Sequence, residues 1–417
     1  MSEIIINGGK RLSGRVSVQG AKNSVLPVLA GTVLCGGESV VHNCPMLSDV
    51  ETSLKILEHL GCKCRREGGA VIVDSSGVSE YDIPDSLMRE MRSSVVFLGA
   101  VIGRMGRAVI SSPGGCELGP RPIDLHLSAL ERMGVTITEE HGYLKCTAEN
   151  GLHGAEIHLG FPSVGATENI ILAAAVAAGV TVIHNAAKEP EISDLADFLN
   201  SAGARISGCG SDTVRIEGVK RLGGTEHIIP DRIVAATYMA CAAVTGGEIE
   251  LENVMPPHMV SLLWSFRECG CDISVSGKGL RLSAPERLHR IPTLRSLVYP
   301  GFPTDAGPVA VAMLASAEGT SVFVENIFEN RYRYIDELNR FGTKIKTEGK
   351  TAVIEGVGEL SGAHAKATDL RGGAALVVAA LKAHGASEIG NTHHIERGYE
   401  KITERLSSLG ADISYKR

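Results

Sequence analysis

The residues best suited to chemistry in this 417-residue chain lie at 111–126, Ser-Ser-Pro-Gly-Gly-Cys-Glu-Leu-Gly-Pro-Arg-Pro-Ile-Asp-Leu-His. Three Gly and three Pro in sixteen positions exclude a helix or strand interior, so the stretch reads as a loop. Cys116 sits in it with no apolar pattern around it. A cysteine is usually a small buried hydrophobe, and the other cysteines here do lie in helical or strand patterns. Flanking glycines let the backbone move or approach a ligand, and Arg121, five residues on, favours a thiolate or an anion nearby. Cys116 is therefore the candidate reactive thiol.

A second set of polar residues opens six apolar, Ala-rich stretches, 22–35, 93–105, 167–178, 231–245, 305–317 and 371–384. All are expected to be buried helices, being apolar nearly all round. Their beginnings read Lys22-Asn23, Arg92-Ser93, Thr167-Glu168-Asn169, Asp231-Arg232, Thr304-Asp305 and Asp369-Arg371. Asp231 and Thr167 suit helix caps. Lys22, Arg92 and Arg371 do not, because a cation at a helix N-terminus opposes the dipole by roughly 0.3–1 kcal/mol. An anion among them resolves the conflict, and phosphate is the expected group. Loops add Arg331, in Phe328-Glu-Asn-Arg331, and Arg397, in His393-His-Ile-Glu-Arg-Gly398. There is no Walker loop and no dinucleotide glycine fingerprint. The anion is expected to be held by scattered Lys and Arg, with neither metal nor cofactor. Asp305 differs from the cations: a carboxylate among them stays ionised and could act as a base, while capping is the equal alternative on position alone.

The elements that position these residues repeat. A helix ending, a Gly and a strand recur around Gly61, Gly134, Gly203, Gly270, Gly342 and Gly410, at intervals of 73, 69, 67, 72 and 68 residues. Gly suits the left-handed position that closes a helix. Each unit of about 70 residues is a buried helix, a strand, a more polar outer helix and two more strands. A unit this long is not a solenoid repeat, so six copies make two globular halves. Glu217–Pro230 is the natural boundary. The final unit stops at 411–417, short of strand, while residues 1–21 carry spare strand. The expected domains are therefore 22–229, and 1–21 together with 230–417, with buried-helix N-termini from both pointing into one cleft.

Composition supports large cores: 44% of residues are hydrophobic but only 4% aromatic, so Leu, Ile, Val and Ala must fill them. A net charge of −7 argues against a general nucleic-acid binder. There is no apolar run of eighteen and no signal-peptide layout. A cytoplasmic monomer with no membrane or nucleic-acid partner is expected. Cys62/Cys64 and Cys269/Cys271 are C-x-C pairs, but each lies where a helix ends at a Gly and a strand begins, so metal is not expected there.

Together these residues resemble the enolpyruvyl transferase family, in its branch acting on UDP-N-acetylglucosamine at the first committed step of peptidoglycan synthesis. The matching pieces are Gly20-Ala-Lys22-Asn23, Pro113-Gly-Gly-Cys116 with Gly119-Pro-Arg121-Pro-Ile-Asp124-Leu-His126, Ser163-Val-Gly-Ala-Thr167, Pro190-Glu-Ile, Phe302-Pro-Thr-Asp305, Phe328-Glu-Asn-Arg331, Ala367-Thr-Asp-Leu-Arg371 and His394-Ile-Glu-Arg397-Gly-Tyr399. The resemblance implies an α/β fold of two inside-out α/β barrel domains, each of three βαβαββ repeats. It implies phosphoenolpyruvate and UDP-N-acetylglucosamine as substrates. Asp305 would take the proton of the sugar 3-hydroxyl, and Cys116 would protonate C3 of phosphoenolpyruvate and can form a covalent adduct. Lys22, Arg121 and Arg397 would hold phosphoenolpyruvate, with Arg331 and Arg371 near its carboxylate. Asn23, Arg92, Arg121, Pro122, Ile123, Asp124, Leu125, Ser163, Val164, Gly165, Asp305 and Ile327 would line the nucleotide-sugar site. The sister transferase acting on shikimate 3-phosphate shares the fold but lacks the Cys loop. Two departures stand out. Gly307, followed by Pro308, replaces a Gln usual in the family, so a polar contact is lost while the helix is expected to survive. Phe161-Pro162 stands where some members place a Lys.

Overall fold

The computed structural model describes residues 3–111, 123–220 and 222–416. They separate into two compact units. One takes the chain up to Gln19 and from Pro230 onward; the other takes the described residues between Gly20 and Ile229. Each unit has its own hydrophobic core.

The six apolar stretches form helices: α1 (Lys22–Thr32), α2 (Phe97–Met105), α3 (Val164–Ala174), α4 (Arg232–Val244), α5 (Gly307–Leu314) and α6 (Leu370–Lys382). Buried residues line all sides of these helices, as their all-round apolar sequence requires. Two starts are wound more tightly than expected. A 3-10 turn at Arg92–Val96 leads into α2, and another at Thr304–Ala306 leads into α5. Pro308 falls in the first turn of α5, where a missing N–H loses no bond, so that helix survives.

After each buried helix comes a strand at the middle of a sheet: β1 (Glu38–His42), β2 (Arg107–Ser111), β3 (Val180–His184), β4 (Glu248–Glu252), β5 (Thr320–Val324) and β6 (Ala386–Gly390). Along β3 the inward residues Thr181 and Ile183 are buried and alternate with more open ones. Each middle strand has a short parallel edge strand on one side and an antiparallel strand on the other, which in five of the six belongs to a hairpin. Among the described residues this gives six four-stranded sheets. Three sheets with their three buried helices make up each unit, so the repeat is βαβαββ with the helices inside.

The glycines that close the outer helices have φ of 102°, 93°, 106°, 91°, 85° and 94° at Gly61, Gly134, Gly203, Gly270, Gly342 and Gly410. This is the left-handed turn for which glycine was expected.

The chain exchanges strands at its start. Ser13–Ser17 pairs in parallel with β4, and Thr225–His227 pairs in parallel with β1. Ile4–Asn7 lies between β6 and Asp412–Tyr415, antiparallel to both. The final repeat is thus less truncated than its sequence suggests. Asp412–Tyr415 is a strand, and the only strand missing from that sheet is supplied by Ile4–Asn7. The C-x-C pairs behave as structural residues: Cys62, Cys269 and Cys271 are buried and Cys64 half-buried. Among the described residues no three His, Cys, Asp or Glu side chains are grouped to hold a metal ion. Among the described residues no helix is long and apolar enough to cross a membrane.

Candidate active site

In the unit holding α4 to α6, the chain enters α5 through Pro303 in extended conformation and turns at Thr304-Asp305-Ala306. Asp305 therefore stands at the N-terminal end of a buried helix with its side chain 27% exposed, the open member of the cluster. Arg331 begins a 3-10 turn, Arg331–Tyr334, and is almost fully buried. Its Nη2 donates to Asp305 Oδ1 at 3.1 Å and to the Thr304 carbonyl at 3.3 Å. Arg371 is the second residue of α6. The N-cap Asp369 accepts from the Arg371 and Gly372 amides at 2.9 and 3.0 Å and so fixes that turn. Arg371 Nε and Nη2 both donate to Asp305 Oδ2, at 3.2 and 3.0 Å. Its Nη1 donates to the Tyr399 hydroxyl at 3.3 Å, which lies 3.0 Å from Thr237 Oγ1.

Burial works against the charge on Arg371, but the Asp305 carboxylate and Tyr399 more than offset it, so its pKa rises further. Burial pushes the Tyr399 phenol up, opposed by Arg371. The arrangement is one carboxylate held by two fixed cations, with one side open. Its open side can receive a proton from a hydroxyl. Arg397 follows the short helix His393–Glu396 and is half-buried. Ile327 is half-buried, and its amide donates to Glu325.

In the other unit, Lys22 opens α1. Its Nζ lies 2.7 Å from Asp49 Oδ2, with the two side chains only 10% and 3% exposed. Asp49 sits in the first turn of the helix Ser48–His59. A protein carboxylate thus supplies an anion for a cation set against a helix dipole, as Asp305 does for Arg371. Asn23 is exposed beside Lys22. Arg92 begins the turn into α2; its side chain, together with Cys116, Arg121 and Pro122, lies outside the described residues. After that stretch come Ile123 and Leu125, half-buried, and Asp124, exposed, at the start of the helix Asp124–Arg132.

That helix is pinned from its first turn. His126 Nδ1 receives a hydrogen bond from Asn169 Nδ2 at 2.7 Å. The same amide donates to the Val95 carbonyl at 3.0 Å, and its oxygen accepts from Gly99 N at 2.6 Å. Burial pushes His126 down to about 4, so it is a neutral acceptor. Ser163 is the N-cap of α3, accepting from Ala166 N at 3.3 Å. Val164 and Gly165 follow half-buried, and a Cβ on Gly165 would lie 3.1 Å from His126 Cε1.

The structure thus brings Asp305, Arg331 and Arg371 into one cluster, and Ser163 to Gly165 against the helix that carries Asp124 and Leu125. Four participants were not singled out in sequence as site residues: Asp49, Asn169 as a clamp, Glu325 and Tyr399. Asn169 and Tyr399 were within stretches already of interest. Asp49 and Glu325 are two carboxylates among 48 Asp and Glu, with no spacing to mark them. At Gly307 a Cβ would meet Phe323 Cζ at 2.8 Å, so an aromatic ring fills the space a side chain there would need.

Comparison with known proteins is consistent with this geometry. The family model described as EPSP synthase (3-phosphoshikimate 1-carboxyvinyltransferase) matches residues 6–406. A UDP-N-acetylglucosamine 1-carboxyvinyltransferase 2 of Caldanaerobacter subterraneus subsp. tengcongensis is 52% identical over 414 residues, covering 99% of both chains. A UDP-N-acetylglucosamine 1-carboxyvinyltransferase 1 of Symbiobacterium thermophilum is 47% identical, covering 98% of this chain and 94% of its own. The crystal structure of the enolpyruvyl transferase NikO from Streptomyces tendae superposes with a TM-score of 0.88 at 24% identity, covering 100% of this chain and 99% of that one. That likeness establishes the fold, two units of inside-out α/β repeats.

Proposed function

The chain belongs to the EPSP synthase family and, within it, to the UDP-N-acetylglucosamine 1-carboxyvinyltransferases, and we infer that it transfers the enolpyruvyl group of phosphoenolpyruvate to the 3-hydroxyl of UDP-N-acetylglucosamine, releasing phosphate. The observation that carries this reading is the Asp305 carboxylate held between Arg331 and Arg371 at the start of α5.

Asp305 takes the proton of the 3-hydroxyl, whose oxygen bonds to C2 of phosphoenolpyruvate. Cys116 delivers a proton to C3, giving a tetrahedral intermediate. C3 then returns a proton as phosphate leaves, restoring the double bond. Arg331 and Arg371 face the carboxylate of phosphoenolpyruvate, and Lys22, Arg121 and Arg397 hold the molecule. Fixed cations of this kind favour charge that develops in the transition state. Asn23, Arg92, Arg121 to Leu125, Ser163 to Gly165, Asp305 and Ile327 hold the nucleotide sugar. The halves 22–229 and 1–21 with 230–417 are the two domains. The reaction is the first committed step of peptidoglycan synthesis, so it serves cell-wall growth, cell shape and division. The enzyme works as a cytoplasmic monomer, with neither metal nor cofactor, and a phosphonate epoxide such as fosfomycin inactivates it at Cys116.

The test is phosphate release by the purified protein. Release should require phosphoenolpyruvate together with UDP-N-acetylglucosamine. Release with shikimate 3-phosphate in place of the nucleotide sugar, and none with the sugar, would reassign the chain to the sister reaction.

A further inference from the structure

The repeats of this fold serve as controls for one another. In four of them the residue after the middle strand is an Asn at positive φ: Asn43 (54°), Asn185 (56°), Asn253 (54°) and Asn391 (60°). Each does the same job. Its side-chain amide donates to the carbonyl just past the parallel edge strand. The bonds are 2.8 Å to Ile228, Leu159 and Val18, and 3.5 Å to Ala367. The turn out of the middle strand is thereby tied to its neighbour.

Two repeats break the pattern. After β2 comes the stretch with Cys116, which holds no Asn before Ile123. After β5 comes one extra residue. Asn326, not residue 325, donates to the corresponding carbonyl, Ser296 O, at 3.0 Å. The inserted residue is Glu325, which is 1% exposed.

Glu325 accepts four hydrogen bonds from neutral donors. Oε1 takes Ser296 Oγ at 2.7 Å, the Ile327 amide at 2.8 Å and the Phe328 amide at 3.2 Å. Oε2 takes Thr304 Oγ1 at 2.8 Å. A buried carboxylate is kept in a fold only where such donors satisfy it. The four repeats with an Asn there close this turn without one, so the turn itself does not need it. What Glu325 adds is a link between two places, the turn that presents Asp305 and the loop that presents Ile327.

We propose that Glu325 is a positioning residue for the transfer reaction, one carboxylate that sets the Asp305 turn through Thr304 and the Ile327 loop through two backbone amides. This rests on the roles given above to Asp305 and Ile327. A base must lie within hydrogen-bond reach of the proton it takes, and a misplacement of about 1 Å can cost on the order of 10²-fold in rate. One carboxylate bridging both segments fixes the distance between base and sugar site.

Steady-state phosphate release with varied UDP-N-acetylglucosamine and phosphoenolpyruvate tests this on the full chain, with unfolding midpoints measured alongside. Thr304→Val keeps the side-chain shape and cuts only the link to the base; kcat should fall about 10-fold with little change in the KM for the nucleotide sugar. Glu325→Ala cuts both links. It should lower kcat by about 10- to 100-fold and raise the KM for UDP-N-acetylglucosamine more than that for phosphoenolpyruvate. Glu325→Gln can still accept from both amides and should recover most of the loss. If Glu325→Ala does not fold, Thr304→Val decides the matter. A wild type that turns over, with kcat and both KM values unchanged in Thr304→Val and in any folded Glu325→Ala, overturns the proposal and leaves Glu325 a packing residue. A wild type that releases no phosphate instead overturns the assigned reaction, and this proposal with it.

Discussion

Arg371 gives two nitrogens to a single oxygen of Asp305, Nε at 3.2 Å and Nη2 at 3.0 Å, while Arg331 takes the other oxygen at 3.1 Å. The carboxylate is oriented by a rigid fork on one side and a buried cation on the other. A lysine at 371 could offer only a point charge on a flexible stem. Arg371→Lys should therefore fold but lose about 10²-fold in kcat/KM, the scale expected when a buried charge pair loses its geometry. Phosphate-release kinetics check this; activity within twofold of wild type would show that the fork is dispensable.

Cys116 should be the thiol that reacts at neutral pH. Burial pushes the thiols of Cys62, Cys64, Cys241, Cys269 and Cys271 up to about 12, and those of Cys146 and Cys209 up to about 11, so each is inert as a nucleophile. Treatment with fosfomycin plus UDP-N-acetylglucosamine, followed by peptide mass mapping, should place the adduct on Cys116. Cys116→Ser should lose about 10²–10⁴-fold in rate without unfolding. Cys116→Asp should retain more, because a carboxylic acid can still deliver a proton. An adduct on another cysteine, or full activity in the Ser variant, would remove Cys116 from the mechanism.

Asp194 makes the protein's stability depend on pH. Its Oδ2 accepts from Ser24 in α1, two residues from Lys22, and from Ile229 N at 3.4 Å. Burial, reinforced by Glu226 and Asp197 and opposed by these hydrogen bonds, raises it to about 7. The folded chain thus holds a proton between about pH 4 and 7 that the unfolded chain has lost, and stability falls as pH rises through that window. Asp194→Asn should flatten the dependence and gain stability at pH 8 by on the order of a few kcal/mol. Urea midpoints at pH 5 and pH 8 measure it; equal slopes in the two proteins would exclude Asp194 as the cause.

Gly307 is confined by Phe323. A Cβ 2.8 Å from Cζ forces the fully buried ring to move. Gly307→Ala should destabilise by about 1–3 kcal/mol through overpacking, set against up to about 1 kcal/mol gained in helix propensity. Phe323→Leu in the same chain should relieve part of the loss. Denaturant unfolding of the single and double variants would reveal it, and additive losses would place the strain elsewhere.

The repeat was legible in the sequence because a glycine that must take positive φ and an all-round apolar helix leave marks in local composition. Lys22, Asp305 and Arg371 stood out because they open apolar stretches, where charge is conspicuous, while Arg331 stood out only as an arginine in a loop. Their partners were not. Asp49 meets Lys22 from a different helix, and Glu325 reaches Thr304 across 21 residues. Such pairings depend on how sheets and helices pack, which no local spacing encodes. The extra residue at 325 became visible only when the Asn after each middle strand could be aligned through its hydrogen bond.

The strand exchange at the start of the chain also bears on synthesis. Ile4–Asn7 leaves the ribosome long before both of its partners, β6 and Asp412–Tyr415. The described residues between Gly20 and Ile229 form one unit, and its two ends meet where the Ala21 amide donates to the Ile229 carbonyl at 2.8 Å. That unit can close during translation, while the earliest residues wait unpaired for nearly four hundred more. Contacts so distant in sequence make for slow folding, so the nascent chain carries an exposed Ile-Ile-Ile edge until those partner strands are released. Chaperone binding to the N-terminal segment during synthesis is the expected consequence.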